Sequence, residues 1–581
     1  MTPRLRNALI ALVILAALGV GLLLDLSNRG QVWRLFYALT GEETPAAQLI
    51  GVLQWSGRWF RAQPQTAPLT PMDHVGEVPF GANVFLEQEV EVAKRERILQ
   101  MLSDAGFVWL RQEFPWEDIE ISGRGDFDDC RNDLNGDGTR DSLDCVSAWA
   151  KYDNIVDLAE QYDMRLQVRL SNPPSWTHAD PALGTFAPPD DIQDYVNYAR
   201  TVAQRYAGRI THYQIWNEPN IYPEWGNQDA NPEAYTQMLC QTYDALKAVD
   251  PEIVVISGAL APTNAMGGAD LNDFIFLQRM LDAGAADCFD VLSMQGYGLN
   301  SAPSDRRMRP QTVTFARPIY IRDLLVRNGH PEKPIWISEA AWNPVPEPEE
   351  VPNIDARYNF GQVSEEQAAR YMVEGYARMQ REWNWSGVMF YWFFKRPADY
   401  EQNQSFYYFR MVEPDFTPLP VYDALRDYIT TQTPTLYAGT HQEDHWALTF
   451  PAEAQVIQAA GAQFSDAIQT PRADFIAHGT EVTLRWQGNS PITVYRDGRI
   501  LSTIESGDAL VEQNGWMELR VRLGWFAEDH PLQIESAAPF TLDSVTVYDN
   551  TVSDILILLG MTVLVIGLIA VGVFSVGQRQ A

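Results

Sequence analysis

The chain has 581 residues, 46% of them hydrophobic and 12% aromatic, which suits a globular protein of two or three domains with large cores. Its 76 acidic residues against 43 basic ones leave a net charge of −33, and no Lys/Arg-rich run or aromatic-basic repeat interrupts that excess, which argues against nucleic acid as a partner. Solubility and metal binding are the roles left for so much acid.

In chain order, Arg4 and Arg6 precede an apolar run from Ala8 to Leu24 with no small-x-small cleavage site before Asp25. This predicts a cytoplasmic tail over 1–7 and a transmembrane helix over 8–24, with a cleaved signal peptide as the open alternative. Residues 25–75 read as a juxtamembrane segment and linker. Within it Trp33, Leu35, Phe36, Leu49, Leu53, Trp55 and Trp59 recur at roughly helical spacing before a Pro-rich stretch at 62–71. An amphipathic helix at the membrane surface and a helix packed on the next domain both fit.

Across 76–430, strand-like runs at 79–85, 107–112, 165–170, 211–216, 253–258, 291–295, 334–338 and 387–393 alternate with amphipathic stretches such as 90–105, 192–206, 232–248, 271–283 and 364–382. Eight strands with crossover helices predict an α/β (β/α)8 TIM barrel. From 431 to 552 the pattern becomes short alternating strands (481–486, 492–496, 517–521, 544–548) with turn signals such as Asp497-Gly498, which predicts a β-sandwich, jelly-roll-like. A second transmembrane helix is expected over 553–576, uncharged from Ile555 to Val576 and followed by Arg579 in a tail at 577–581. The positive flanks put both tails in the cytoplasm and the middle outside, at the cell membrane. Four cysteines in an exported domain predict two disulfides; of three pairings, Cys130–Cys145 and Cys240–Cys288 are the most economical.

Two of these strand-like runs end in glutamate: Tyr213-Gln214-Ile215-Trp216-Asn217-Glu218-Pro219-Asn220 and Pro334-Ile335-Trp336-Ile337-Ser338-Glu339. Breaking a glycosidic bond takes an acid for the leaving oxygen and a second carboxylate at the anomeric carbon, and strand ends on one barrel face can supply both. Trp176, Trp225, Trp342 and Trp392 are candidates to stack on apolar sugar faces, whereas Trp109 and Trp336 inside strands read as core.

From about 81 to 428 the sequence resembles clan A of the retaining glycoside hydrolases. The resemblance implies Glu218 as acid/base after Asn217 at the end of strand four, and Glu339 as nucleophile at the end of strand seven. It further implies Arg111 in Val108-Trp109-Leu110-Arg111 as support for the nucleophile, keeping it ionised, while a less compensated site keeps Glu218 protonated. Asn217 is then the partner of a sugar 2-hydroxyl and Trp392 in Phe390-Tyr391-Trp392-Phe393 the sugar platform. On strand six, where the clan carries His-x-Tyr, the chain reads Gln295-Gly296-Tyr297: the tyrosine fits and Gln295 replaces the histidine. Within the clan, Trp216-Asn217-Glu218-Pro219-Asn220 and the closing Pro418-Leu419-Pro420-Val421-Tyr422-Asp423-Ala424-Leu425 look closest to family 39 and its bacterial exopolysaccharide-hydrolase relatives. The C-terminal sandwich resembles galactose-binding-like jelly rolls through 479–488, 494–498 and 540–544, and serves either as a glycan binder or as a spacer.

An independent motif runs from Asp133 to Asp144. Asp133, Asn135, Asp137, Asp141 and Asp144 occupy loop positions 1, 3, 5, 9 and 12, with Gly138 at position 6 and the Thr139 carbonyl at position 7. This is the EF-hand calcium pattern with Asp last, as in dockerin-like loops, and it predicts a structural Ca2+ and no cofactor for the chemistry. Following strand two, the loop belongs to the catalytic face. The whole predicts a membrane-anchored, extracytoplasmic retaining glycosidase of a polysaccharide or oligosaccharide. A glycan-binding protein on the same barrel and a transglycosylase are the rivals.

Overall fold

Alternation of short apolar strands with capped helices builds the larger part of the protein, seen in a computed structural model that describes residues 3–555 apart from 135, 141–143, 505–509 and 512–514. Its strands are β1 (Phe80–Val84), β2 (Trp109–Pro115), β3 (Arg165–Ser171), β4 (His212–Ile215), β5 (Val254–Ile256), β6 (Leu292–Gln295), β7 (Ile335–Ala340) and β8 (Ser386–Tyr391). They pair in parallel in the order β6-β7-β8-β1-β2-β3-β4-β5, and isolated parallel bridges Ile256–Val291 and Leu260–Met294 link β5 back to β6. A parallel ring of eight strands with a helix after each is the (β/α)8 barrel.

Three helices precede it: α1 (Pro3–Ser27), α2 (Gln31–Thr40) and α3 (Pro45–Ser56). After the successive strands come α4 (Val92–Asp104), α5 (Trp149–Gln161), α6 (Ile192–Arg205), α7 (Pro232–Lys247), α8 (Asp273–Asp282), α9 (Pro318–Arg327), α10 (Glu365–Glu382) and α11 (Pro420–Thr431). Local sequence fixes their starts: Asp191, Asn231 and Asn272 accept backbone N–H groups of the first turns of α6, α7 and α8, and Pro232 and Pro318 begin helices where no N–H is needed. Tyrosines fasten the helices to the strands. Tyr198 donates to Phe114 O (2.6 Å), Tyr195 to Leu170 O (2.7 Å), Tyr235 to Ile215 O (2.9 Å) and Tyr376 to Met389 O (2.9 Å).

Trp109, His212, Trp336 and Phe390 fill the floor of the barrel, with Trp109 edge-on to Trp336 at 5.1 Å and His212 stacked on Trp336 at 5.4 Å. Above them the inward positions turn polar, at Asn83, Arg111, Gln167 and Gln214. Period-two alternation along β2 carries Trp109, Arg111 and Glu113 upward on one face, from floor to mouth.

The region between α1 and the barrel is helical and packs on the barrel. Tyr37 donates to Glu374 (2.6 Å), Arg307 pairs with Glu42 (2.7 Å), and Glu43 meets Arg370 and Tyr371 of α10. Residues 4–27 form the one helix, among the described residues, long and apolar enough to cross a membrane. The second expected span, 553–576, lies outside the described residues from 556 onward.

Described residues of 1–66, 78–379 and 388–432 make one unit, and those of 67–77, 380–387 and 433 onward a second. The second is an antiparallel sheet fitting a sandwich: β9 (Gly439–Gln442), β10 (Gln455–Gln458), β11 (Asp466–Gly479), β12 (Glu481–Gln487), β13 (Ile492–Arg496), β14 (Arg499–Ile504), β15 (Leu510–Val511), β16 (Met517–Arg522) and β17 (Glu528–Tyr548). In place of uniformly short strands, β11 has 14 residues and β17 has 21. β17 pairs with β11 between Glu528 and Leu542, with β13 at 532–536, and with β12 and β9 between Thr541 and Tyr548, so one long strand serves several ladders around a core that includes Trp486, Phe475 and Leu484.

Candidate active site

Glu339 reaches the barrel interior through a β-bulge. Met294 pairs with Ile337 and the next residue, Gln295, with Glu339, so Ser338 is an extra residue on β7. With Trp336 facing in, strict alternation sends Glu339 outward; the one-residue insertion reverses it. Its carboxylate accepts from Arg111 Nη1 (2.8 Å), Gln295 Nε2 (3.0 Å) and Tyr297 Oη (2.7 Å). Arg111 spends its other donors on Asn83 Oδ1, Gln214 Oε1 and Asn217 Oδ1, each at 2.8 Å. The guanidinium is thereby fixed on all sides, and Asn83 is itself held by donating to Ser338 O (2.9 Å) and Tyr391 O (3.1 Å).

Glu218 follows β4 after a left-handed residue, Trp216 at φ +74°, a conformation a bulky side chain adopts only when its surroundings hold it. The Trp216 indole donates to Glu224 O (2.6 Å), and Gln214 Nε2 donates to Trp216 O (3.0 Å). Burial, then repulsion from Glu339 and Glu224, pushes the Glu218 carboxyl well above the usual carboxylate range, against the pull of Arg111 and a hydrogen bond from Gln295. Glu224 is raised too, by burial, although Arg169 and a hydrogen bond from Asn217 oppose it. Further along the mouth, Glu113 pairs with Arg169 and accepts from Ser171 Oγ (2.7 Å), and burial with the charge of Glu113 pushes Glu87 up to about 7.

Arg111, Asn217, Gln295, Tyr297, Glu218 and Glu339 therefore meet at one place. Trp392, at the end of β8, is partly exposed and edge-on to Phe85 at 5.7 Å. Trp176 is partly exposed, its indole donating to Glu120 O (2.9 Å). Trp342 departs from the expectation: it is 1% exposed, its indole donates to Ser301 O (2.7 Å), and it packs on Phe315 and Tyr371, so it is a core residue with no face for a sugar. Trp225 is buried between Trp216 and Tyr235. Asn83, Gln214, Glu224, Glu113 and Arg169 went unnoticed in the sequence, although a polar residue inside an apolar barrel strand, such as Gln214 in Tyr213-Gln214-Ile215, is a signal of this kind.

Both disulfides form as the economical pairing has them, Cys130–Cys145 and Cys240–Cys288. Cys130–Cys145 closes the acidic loop beside the short ladder of Asp128–Asp129 with Val146–Ser147. Asp133 accepts from the amides of Gly136 (2.7 Å) and Gly138 (2.8 Å), both glycines at positive φ, and buried Asp144 accepts from Leu134 N (2.9 Å). Asn135 and Asp141 lie outside the described residues; among the described ones no three acidic, His or Cys side chains converge on a metal position. The donor set is all oxygen, which suits a hard cation such as Ca2+.

Fold and site define a (β/α)8-barrel protein with paired glutamates at the ends of β4 and β7. Among solved structures it is similar to a family 39 glycoside hydrolase from Bacteroides cellulosilyticus WH2 (17% identity, TM-score 0.43, covering 80% of this chain and 82% of that one). It is similar also to a family 39 enzyme from Xanthomonas axonopodis pv. citri (13%, TM-score 0.43, 84% and 99%) and a family 30 endoxylanase from Clostridium papyrosolvens C71 (13%, TM-score 0.39, 82% and 99%). No protein-family model matches the chain, and no curated protein does. At these identities and TM-scores the likenesses decide nothing about chemistry, which rests on the site itself.

Proposed function

We propose that the protein is a membrane-anchored, extracytoplasmic retaining glycoside hydrolase acting on a polysaccharide or oligosaccharide. The observation that carries this reading is the pair of carboxyls in one buried site: Glu339 is gripped by Arg111, Gln295 and Tyr297, and its charge together with burial favours the protonated form of Glu218. A carboxylate held by three donors beside a carboxyl biased toward its acid form supplies the nucleophile and the acid/base of a double displacement.

In the first step Glu218 gives its proton to the glycosidic oxygen while a Glu339 oxygen attacks the anomeric carbon and the bond to the leaving group breaks. In the second, Glu218, now ionised, takes a proton from water, the water oxygen bonds to the anomeric carbon, and Glu339 leaves. Arg111, Gln295 and Tyr297 hold the attacking carboxylate in one orientation, and Asn217 and partly exposed Trp392 are the sugar contacts. Burial and the negative charges of Glu339 and Glu224 favour the protonated form of Glu218, as the acid step requires. Ca2+ held by Asp133, Asn135, Asp137, the Thr139 carbonyl, Asp141 and Asp144 would order the loop after β2 and take no part in bond breaking. The apolar α1, whose first two turns carry Arg4 and Arg6, supports an anchor with its N-terminus inside.

The test is hydrolysis by the full chain in detergent across aryl glycosides and polysaccharides, beside Glu218→Gln and Glu339→Gln. Turnover lost in both variants, with the anomeric configuration retained by NMR, is the expected result. Glycan binding with no wild-type turnover sinks the reading in favour of a binding protein.

A further inference from the structure

The pair α2–α3 has two unlike faces. Toward the barrel it is polar and fully engaged: Arg306 donates to Ala38 O (2.8 Å), Arg307 pairs with Glu42, and Tyr371 donates to Glu43 (2.9 Å). The two helices touch each other closely, a Cβ on Gly51 coming within 2.8 Å of Thr40. Away from the barrel the pair is apolar and bare. Leu35, Leu49, Ile50 and Leu53 are exposed, and the turn after α3 adds Trp59 and Phe60, with Leu53 at 74%, Trp59 at 67% and Phe60 at 93%. Arg58 lies over the Trp55 ring at 4.9 Å and the Trp59 ring at 5.3 Å. Apolar side chains rimmed by tryptophan and arginine are the composition of a segment lying in a headgroup region.

What covers this face is indicated by α1. The apolar helix runs directly into the pair: the Asp25 carboxylate accepts from Trp33 N (3.0 Å) and Asp25 O from Gly30 N (2.8 Å). A bilayer crossed by α1 therefore begins where the bare face begins. The inner face reaches the site in few steps. Gly41 abuts Ala302 and Asp305, Ser301 O accepts from Trp342, and Trp342 lies three residues beyond Glu339.

We propose that α2–α3 is a membrane-interfacial seat, its bare face in the headgroup region of a phospholipid bilayer and its polar face holding the mouth of the barrel beside β6 and β7, so that the site works on glycans at the membrane surface. The glycan half of this rests on the hydrolase reading above; the seat does not.

The full chain carrying Leu53→Cys, Phe60→Cys, Leu12→Cys or Met266→Cys is spin-labelled and reconstituted into phosphatidylcholine/phosphatidylglycerol vesicles, and oxygen accessibility is compared with that of a water-soluble nickel complex. Labels at 53 and 60 are expected to favour oxygen, at depths between the α1 label at 12 and the aqueous label at 266. Labels at 53 and 60 as aqueous as 266, with 12 in lipid, overturn the seat; dipolar broadening between copies at 53 and 60 overturns it in favour of self-association; label 12 in water overturns anchor and seat together. For the substrate class, Leu53→Asp with Phe60→Asp should lower turnover of a vesicle-tethered glycan by about tenfold, ~1.4 kcal/mol, and leave a soluble aryl glycoside unaffected. Equal turnover of both substrates overturns the membrane-glycan assignment alone, and no turnover of either by the wild type sinks the hydrolase reading while leaving the depth result standing.

Discussion

Burial and its neighbours' charges raise the pKa of the Glu218 carboxyl, and those neighbours are open to test one at a time. In its proposed role as the acid it works only while protonated, so kcat/KM should fall with rising pH along a limb set by its raised pKa, above the ordinary glutamate value of about 4.3. Glu224→Gln removes one repelling charge and should shift that limb to lower pH in a pH–rate profile; an unmoved limb rules out Glu224 as a tuning group. Stability carries the same information with a definite sign. A carboxyl whose folded pKa is raised costs nothing below its unfolded pKa and destabilises the fold progressively as pH rises toward the folded value. Glu218→Gln cannot ionise, so its Tm should equal the wild type's near pH 4 and exceed it at pH 8. A lower Tm at pH 8 would mean that the charge of Glu218 is compensated.

At the scale of elements, the barrel depends on a few buried polar contacts whose partners are far apart in sequence. Arg317, just before α9, makes a bidentate pair with Asp273 at the start of α8 (2.8 and 2.5 Å), and both are buried. Asp273→Asn leaves the guanidinium without its counter-charge and should cost about 3–5 kcal/mol by denaturant unfolding, with the pH–rate profile unchanged. The Cys240–Cys288 bridge joins α7 to the turn after α8 across a separation of 48 residues. Replacing both cysteines with alanine should lower stability by about 2–4 kcal/mol, the usual worth of such a bridge. The β7 bulge is the element with most influence on chemistry: one alanine inserted between Ser338 and Glu339 takes the inward position and moves Glu339 to the outward one, away from Arg111, and should abolish turnover in a chain that still folds by circular dichroism.

For the whole molecule, the net charge of −33 makes electrostatic adhesion to anionic membranes unfavourable, so retention there requires apolar insertion. The protein should stay with the membrane fraction through a high-salt wash and leave it in detergent. Release by salt alone would contradict the anchor. The loop from Asp133 to Asp144 adds a second handle. Chelation should lower both Tm and activity, with Ca2+ restoring them; unchanged values for both would remove the metal from the proposal.

The eight strands, the surrounding helices and the two strand-end glutamates were legible in the sequence because each depends on local periodicity and on a polar residue ending an apolar run. The all-β character of the C-terminal unit was legible for the same reason, although the 21-residue β17 was not: alternation predicts strand character, and where a long strand changes partners depends on sheets remote in sequence. Trp342 stands beside Trp392 in the sequence as a candidate to stack on sugars, and packing removes it, since exposure is a property of what the rest of the chain lays over a side chain. Asn83 and Glu224 were invisible as site residues because their roles are contacts with Arg111, Asn217 and Glu218. By itself the sequence determined that carboxylates stand at the ends of two barrel strands; the tertiary structure decided their surroundings, because a bulge aims Glu339 at Arg111 and burial beside like charges raises the pKa of Glu218.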